Sequence, residues 1–324
     1  MILAGDIGGT STRLALFEQS GDRERIIIEK VYSSPAHAGL EEIVRKFITE
    51  HPSNITAAAF GIAGPVRNGR VQTPNLAWIV DSVVVARALE LESVRLLNDL
   101  EANAWGIAAL ADSDFVTLQA GTPGVTGNQA VIAAGTGLGQ AGLYWDGAQH
   151  RPFATEGGHG DFAPRDDTEM RVLAFLLKDY DRVSVERLIS GPGLHNIFRA
   201  LQGIAGRSAD AALDALLAGD DPAAAISRAA LSNSHPIAVQ ALDLFVRLYG
   251  AEAGNLALKM MATGGVFIGG GIAPRIIGKM TGGPFIEAFL AKGRMRALME
   301  AMPVKVILND KAALLGAARF AATT

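Results

Sequence analysis

Two stretches of this chain share one pattern: ILAGDIGGTSTRLALFEQSG from residue 2 and QAVIAAGTGLGQAGLYWDG from residue 129. Each reads as an apolar strand, a turn of small and polar residues, and a second strand of amphipathic character. In the first copy TRLALFE alternates with a period of two, so its glycine turn opens a strand. A dinucleotide-binding glycine turn would instead have to open a helix. Self-similarity of this kind is the mark of a duplicated unit. It predicts an α/β chain of two lobes, each led by a β-hairpin whose turn can grip an anion.

The rest of the chain fits around these hairpins. After the first come a third strand at RIIIEKVY, a helix over 39–50, a strand at TAAAFGIAG ending at Pro65, a helix over 81–90, the strand SVRLLND and a helix from 100. The pattern restarts after DFVTLQAG, and 165–260 reads as mostly helical, including the Ala-rich DAALDALLAGDDPAAAISRAAL. TGGVFIGGGIAPR then predicts a strand ending in glycines ahead of a helix started by Pro274. PVKVIL is another strand, and NDKAALLGAARFAA a closing helix that returns to the first lobe. The expected division is a small lobe of 1–110 plus 310–324 and a large lobe of 111–309.

Composition narrows the function. Hydrophobic residues make up 49% of the chain and aromatics only 6%, so the core is aliphatic. A net charge of −4 with scattered Lys and Arg offers no long-range attraction for nucleic acid. With no cysteine there is no disulfide framework, thiolate metal site or cysteine nucleophile, and the cytoplasm is the expected compartment. The start, MILAGDIGGT, lacks the basic region of a signal peptide, and no apolar run is long enough to span a bilayer. No membrane partner is expected.

Chemistry concentrates at the turns. In GDIGGT the glycines Gly5, Gly8 and Gly9 let backbone amides approach an anion, and Thr10 adds a hydroxyl donor. Asp6 would repel a bare phosphate, so its presence suggests a Mg²⁺-nucleotide, with the carboxylate facing the metal or its waters. A plain hairpin with Asp6 as turn former explains the motif equally well. The second copy, with Gly135, Thr136, Gly137 and Gly139, shifts the reading toward a triphosphate held from two sides. Gly139 also fits an ordinary flexible turn. Gly269, Gly270 and Gly271 read by themselves as a sharp strand-to-helix turn; as the third member of this set they suit an adenine lying against backbone.

In EGGHGDFAP, Glu156 and His159 flank two glycines in a loop, a pair suited to the hydroxyls of a polyol. A metal pair would want a second histidine at helical spacing or a cysteine, and a lone hydrogen-bonded loop histidine is the common alternative. Glu186 in VSVERLISGPG reads from spacing alone as a solvated helix face. LLNDLEANAWG places Asp99 where a strand runs into a helix, a position for an N-cap or for a catalytic base.

Taken together, GDIGGT, TPNLAW, NDLEA, AAGTGLG, EGGHGDFAP, VSVERLISGPGL and GGVFIGGGIAPR resemble the bacterial glucokinase family, in order and across nearly the whole chain. The resemblance is to the group without the zinc-binding cysteine cluster of the related ROK kinases. It implies a two-lobed, actin-like ATPase fold with ribonuclease-H-like sheets and a cleft between the lobes. It also implies Mg-ATP-dependent phosphorylation of the 6-hydroxyl of glucose, and a homodimer. By the same resemblance Asn98, Asp99, Glu156, His159 and Glu186 line the sugar site, joined by Asn75, and Asp99 is the general base. One departure is Glu101, where relatives usually carry a neutral residue; two positions into the helix, it should point elsewhere. Competing readings are a kinase for fructose, mannose or an N-acetylhexosamine, a non-catalytic sugar sensor, and an actin- or chaperone-type ATPase. A sensor would normally carry a DNA-binding module, and nothing basic or helix-turn-helix-like precedes Ile2. The third would lack the Glu156/His159 pair.

Overall fold

Alternation along the first twenty residues produces the expected hairpin: β1 (Ile2–Ile7) pairs antiparallel with β2 (Ser11–Ser20), Ile7 opposite Thr12. The computed structural model describes all residues except 21–22, 74–75, 207–216, 218–220 and 324. Asn75 and nearly all of the Ala-rich segment before residue 221 therefore lie outside the described residues. Contacts divide the chain into two compact units. One comprises Met1–Asp114, Pro152–Ala154 and Asn309–Thr324, the other Phe115–Arg151 and Thr155–Leu308.

In the first unit β3 (Arg23–Ser33) lies antiparallel to β2, and α1 (Leu40–Glu50) follows. α1 buries Leu40, Ile43, Val44 and Phe47, the single stripe expected of an amphipathic helix. β4 (Ala57–Ile62) is apolar almost throughout and runs parallel to β1, as an unbroken apolar run does when both faces are covered. Two short strands absent from the sequence expectation, β5 (Arg70–Gln72) and β6 (Ile79–Asp81), form a separate ribbon. Three residues each are too few for alternation to register. α2 (Ser82–Leu89) begins with the Asp81 carboxylate accepting the Val83 amide. β7 (Arg95–Asn98) then lies parallel to β4 and leads into α3 (Asp99–Gly106). The sheet order is β3-β2-β1-β4-β7.

A second sheet repeats that order. β9 (Gln129–Ala134), β10 (Leu138–Trp145) and β11 (His150–Thr155) stand as β1 to β3 do, followed outward by parallel β12 (Gly265–Gly269) and β13 (Val304–Ile307). β8 (Phe115–Gln119) adds an antiparallel edge, giving β11-β10-β9-β12-β13-β8. Between the hairpin and β12 come α4 (Asp167–Leu176), α5 (Gly191–Ile204), α6 (Pro222–Leu231) and α7 (Pro236–Met260). After β12, a 3₁₀ turn at Ala273–Ile276 replaces the helix expected to start at Pro274, and α8 (Ile277–Met280), α9 (Pro284–Leu290) and α10 (Arg296–Glu300) follow. α7 is buried along most of its length in the larger core. A Cβ at its Gly250 would overlap the Phe285 carbonyl, so α9 packs on bare backbone there. Among the described residues no helix is long and apolar enough to cross a membrane.

The C-terminal helix Ala312–Ala321 packs in the first unit, where Leu314, Ala317 and Ala318 bury against Ile2, Ala4, Leu97 and Ala102. It meets α3 backbone to backbone: a Cβ at Gly316 would overlap the Ala102 carbonyl, and one at Gly106 the Ala312 carbonyl. Gly316→Ala should therefore cost about 1–3 kcal/mol of stability by overpacking. Gly278→Ala, facing open space in α8, should stay within about 0.5 kcal/mol of the parent. Urea denaturation of both variants checks this, and equal midpoints would contradict the packing argument.

Candidate active site

The first glycine turn is held from beneath by Ser34, a residue that sequence reasoning did not single out. Buried Ser34 donates its hydroxyl to the Gly8 carbonyl at 2.8 Å, stands 2.9 Å from the Thr12 hydroxyl, and donates its amide to the Thr10 carbonyl at 3.1 Å. The Gly8 amide closes the turn onto the Ser11 carbonyl at 2.9 Å. Gly5 lies inside β1, where a Cβ would collide with the Phe60 ring, so its role is close packing of β1 on β4.

Asp6 stands on β1 opposite Arg13 of β2. Burial pushes its carboxyl up to about 6, and the Asp99 and Asp310 carboxylates push the same way against Arg13. Arg13 cannot neutralise it alone, because its guanidinium is engaged by Asp310 at 3.0 Å and Glu29 at 3.5 Å. An acid placed among acids is a place where a cation would be welcome. Among the described residues no group of three His, Asp or Glu side chains is placed to hold a metal ion. Magnesium often needs only one or two carboxylates, taking the remaining ligands from water and phosphate.

Where β7 becomes α3, the cap is Asn98, not Asp99. The Asn98 side-chain oxygen accepts the amides of Leu100 at 2.9 Å and Glu101 at 3.4 Å, while its amide donates to the Gly64 carbonyl at 3.2 Å. Asparagine caps as well as aspartate and adds no charge. Asp99 is the first helical residue, its carboxylate accepting the Leu100 amide at 2.9 Å. Glu101 is half-buried, and burial lifts its carboxyl above the usual range against the pull of Arg95. Arg95 itself stacks on the Phe320 ring at 3.4 Å and donates to the Phe320 carbonyl at 2.8 Å, so the cation that acts on Glu101 is anchored to the C-terminal helix.

In the second unit Gly135, Thr136 and Gly137 form the turn between β9 and β10, the Gly135 amide donating to the Gly137 carbonyl at 2.9 Å. Thr136 is exposed. Gly139 belongs to β10, paired with Ala133, and is not part of the turn. Gly269 ends β12, and Gly270 adopts φ 82° with its α-carbon against the Ala134 carbonyl, so a Cβ fits neither the backbone nor the space. Gly271 faces open space. The two glycine turns of this unit are thus packed side by side.

Glu156, His159 and Glu186 come together. The His159 imidazole lies between two carboxylates, its Nε2 3.9 Å from Glu156 and its Nδ1 4.0 Å from Glu186. These separations exceed direct hydrogen bonds and leave donor and acceptor capacity for a ligand. The loop reaches this place because Gly157 and Gly158 lie flat on β10: a Cβ would overlap Gln140 at one and the Leu138 carbonyl at the other. The other oxygen of Glu186 accepts the Leu138 amide at 2.9 Å and fills the space over Gly137. One carboxylate therefore serves both the polar loop and the glycine turn. Asn75 lies outside the described residues.

Comparison with known proteins gives a consistent result. The Glucokinase family model matches residues 3–324. The chain is 43% identical to a glucokinase of Trichormus variabilis over 99% of both chains, and 38% identical to one of Caulobacter vibrioides over 98% of this chain and 93% of that one. A solved glucokinase from an Antarctic psychrotroph superposes with a TM-score of 0.87 at 30% identity, covering 100% of this chain and 99% of the other. A ROK family glucokinase from Streptomyces griseus, at 24% identity and TM-score 0.66, shares the fold. Matched along nearly its entire length, and with both hairpin-led sheets of the actin-like ATPase fold in place, this chain belongs to the glucokinase family.

Proposed function

We propose that the protein transfers the γ-phosphoryl group of ATP to the 6-hydroxyl of D-glucose, with Asp99 as general base. The observation that carries this reading is the His159 imidazole set between Glu156 and Glu186, with Glu186 also holding the glycine turn at Leu138. A polyol-binding cluster tied to a phosphate-type turn suits a sugar kinase and has no use in an ATPase that moves protein partners. In the reaction the sugar O6 attacks the γ-phosphorus, the bond to the β-phosphate oxygen breaks, and Asp99 accepts the O6 proton as the new bond forms. Asn98 holds the helix start rigid beside it; the family resemblance is what assigns Asn98, Glu156, His159 and Glu186, with Asn75, to reading the sugar hydroxyls.

The amides of Gly8 and Gly9, the Thr10 hydroxyl, and the turn Gly135–Thr136–Gly137 orient the phosphates, while Gly269, Gly270 and Gly271 receive the adenine. Asp6 fits a role in holding Mg²⁺ through water, since it is a carboxylate crowded by other carboxylates. When bound, the ion supplies charge neutralisation at the terminal phosphates. The family resemblance extends this reading to a cytoplasmic homodimer. Glucose is favoured over fructose, mannose or an N-acetylhexosamine by the names of the full-length relatives.

A coupled ADP-release assay with Mg-ATP and a panel of hexoses tests the reaction. ADP release should require a hexose and be most efficient, by kcat/KM, with glucose; equal hydrolysis without sugar would overturn the proposal.

Asp6 also makes a pH prediction. Its folded pKa of about 6 exceeds the ordinary 3.8, so the folded state binds this proton more tightly than the unfolded chain does. The stabilisation is fully present below 3.8 and is lost as pH rises through 6. Asp6→Asn, neutral throughout, should melt higher than the parent at pH 8, with the difference shrinking between pH 6 and pH 4, while Mg-ATP-dependent turnover falls. A melting difference independent of pH would contradict the assignment.

A further inference from the structure

Two polar side chains enter the core of the second unit from α7, three residues apart on one face. Tyr249 is fully buried. Its hydroxyl accepts the Ala134 amide at 3.1 Å and lies 3.3 Å from the carbonyls of Ile132 and Gly269, to which it donates. The β9–β12 ladder ends at the Ala133–Gly269 pair, so the hydroxyl takes over where the strands part. The Gly135–Gly137 turn follows directly on one side and Gly270–Gly271 on the other. Burial keeps the phenol protonated far above its ordinary range, so the donor is always present.

Glu252, also buried, reaches the other side. Its two oxygens accept from Gln140 and Asn255, each at 2.9 Å, and Asn255 in turn accepts from Lys292 at 2.7 Å. Gln140 is buried on β10 beneath the polar loop: its carbonyl accepts the Thr155 hydroxyl at 3.0 Å, and its side-chain oxygen occupies the space above Gly157. The chain Lys292–Asn255–Glu252–Gln140 thus ends under Glu156 and His159.

We infer that α7 carries two positioning residues with separate duties: Tyr249 sets the glycine turns for the nucleotide, and Glu252, through Gln140, sets the Glu156–His159 loop for the sugar. This rests on the proposed kinase reading for what each turn binds. Neither residue touches a substrate; each fixes backbone that does. A buried amide or carboxylate that loses its partner drives local rearrangement, because leaving it unpaired is costly.

The test is steady-state kinetics in both substrates for the full-length Tyr249→Phe and Glu252→Gln variants, with hydrogen exchange on the same samples. Tyr249→Phe should raise KM for ATP about fivefold or more and leave KM for glucose within about twofold; Glu252→Gln should do the reverse. Amides of 134–138 and 269–272 should exchange faster in the first variant, and those of 156–160 in the second. Gln140→Met should reproduce the Glu252→Gln pattern, and it stands in if that variant fails to fold. Parallel changes in both KM values, or lowered melting temperature with both KM values and local exchange unchanged, would overturn the inference. If the parent protein shows no hexose-dependent turnover, the kinase reading fails, and the segment-specific exchange pattern still decides whether α7 divides its control.

Discussion

Parallel pairing at the centre of each sheet is the constraint on which the rest depends. In the first unit β1, β4 and β7 run in one direction, with Ile7 level with Ile62 and Ile62 level with Asn98. The turn after β1 and the helix start after β7 therefore emerge at the same edge, outside the carboxyl ends of the strands, where open α/β sheets bind ligands. In the second unit Ala133 level with Gly269 brings two glycine turns to one edge in the same way. Had either strand slipped by one residue, every side chain along it would change face.

That placement gathers acids that repel one another. Asp6 and Asp99 come close enough for one to lift the pKa of the other, and Arg13, which pulls the opposite way, is shared with Asp310 and Glu29. The fold tolerates this because the surrounding structure is tightly determined: Ser34 clamps the first turn, Asn98 caps α3, and bare glycine contacts fix α3 against the C-terminal helix. Stability spent on like charges at this edge is the usual signature of a site kept for chemistry.

Local patterns were legible in the sequence, and long-range ones were not. Period-two alternation marked the first hairpin, its repeated strand–turn–strand pattern marked the second, and the apolar runs marked β4, β9 and β12. Glu156 and His159 lie close enough in sequence for their meeting to be read directly. Glu186 could not be read this way, since its partner amide at Leu138 lies 48 positions earlier and only the folded loop joins them. Tyr249 and Glu252 were invisible for a related reason: inside a long apolar helix they look like part of its pattern, and their partners are 115 and 112 positions away. At the start of α3, spacing left Asp99 open as cap or base. Asn98 is the cap, so the Asp99 carboxylate is not required for that duty.

Asp99 is the proposed acceptor of the sugar proton, and the paired variants Asp99→Asn and Glu101→Gln decide whether it holds that role. Rapid-quench single turnovers with saturating glucose and Mg-ATP, beside glucose binding measured by tryptophan fluorescence, separate chemistry from binding. With Asp99 as the base, Asp99→Asn should slow phosphoryl transfer by about 10²–10⁴-fold with glucose binding still measurable, and Glu101→Gln should remain near the parent rate. A near-normal rate for Asp99→Asn, or a large loss confined to Glu101→Gln, would contradict it.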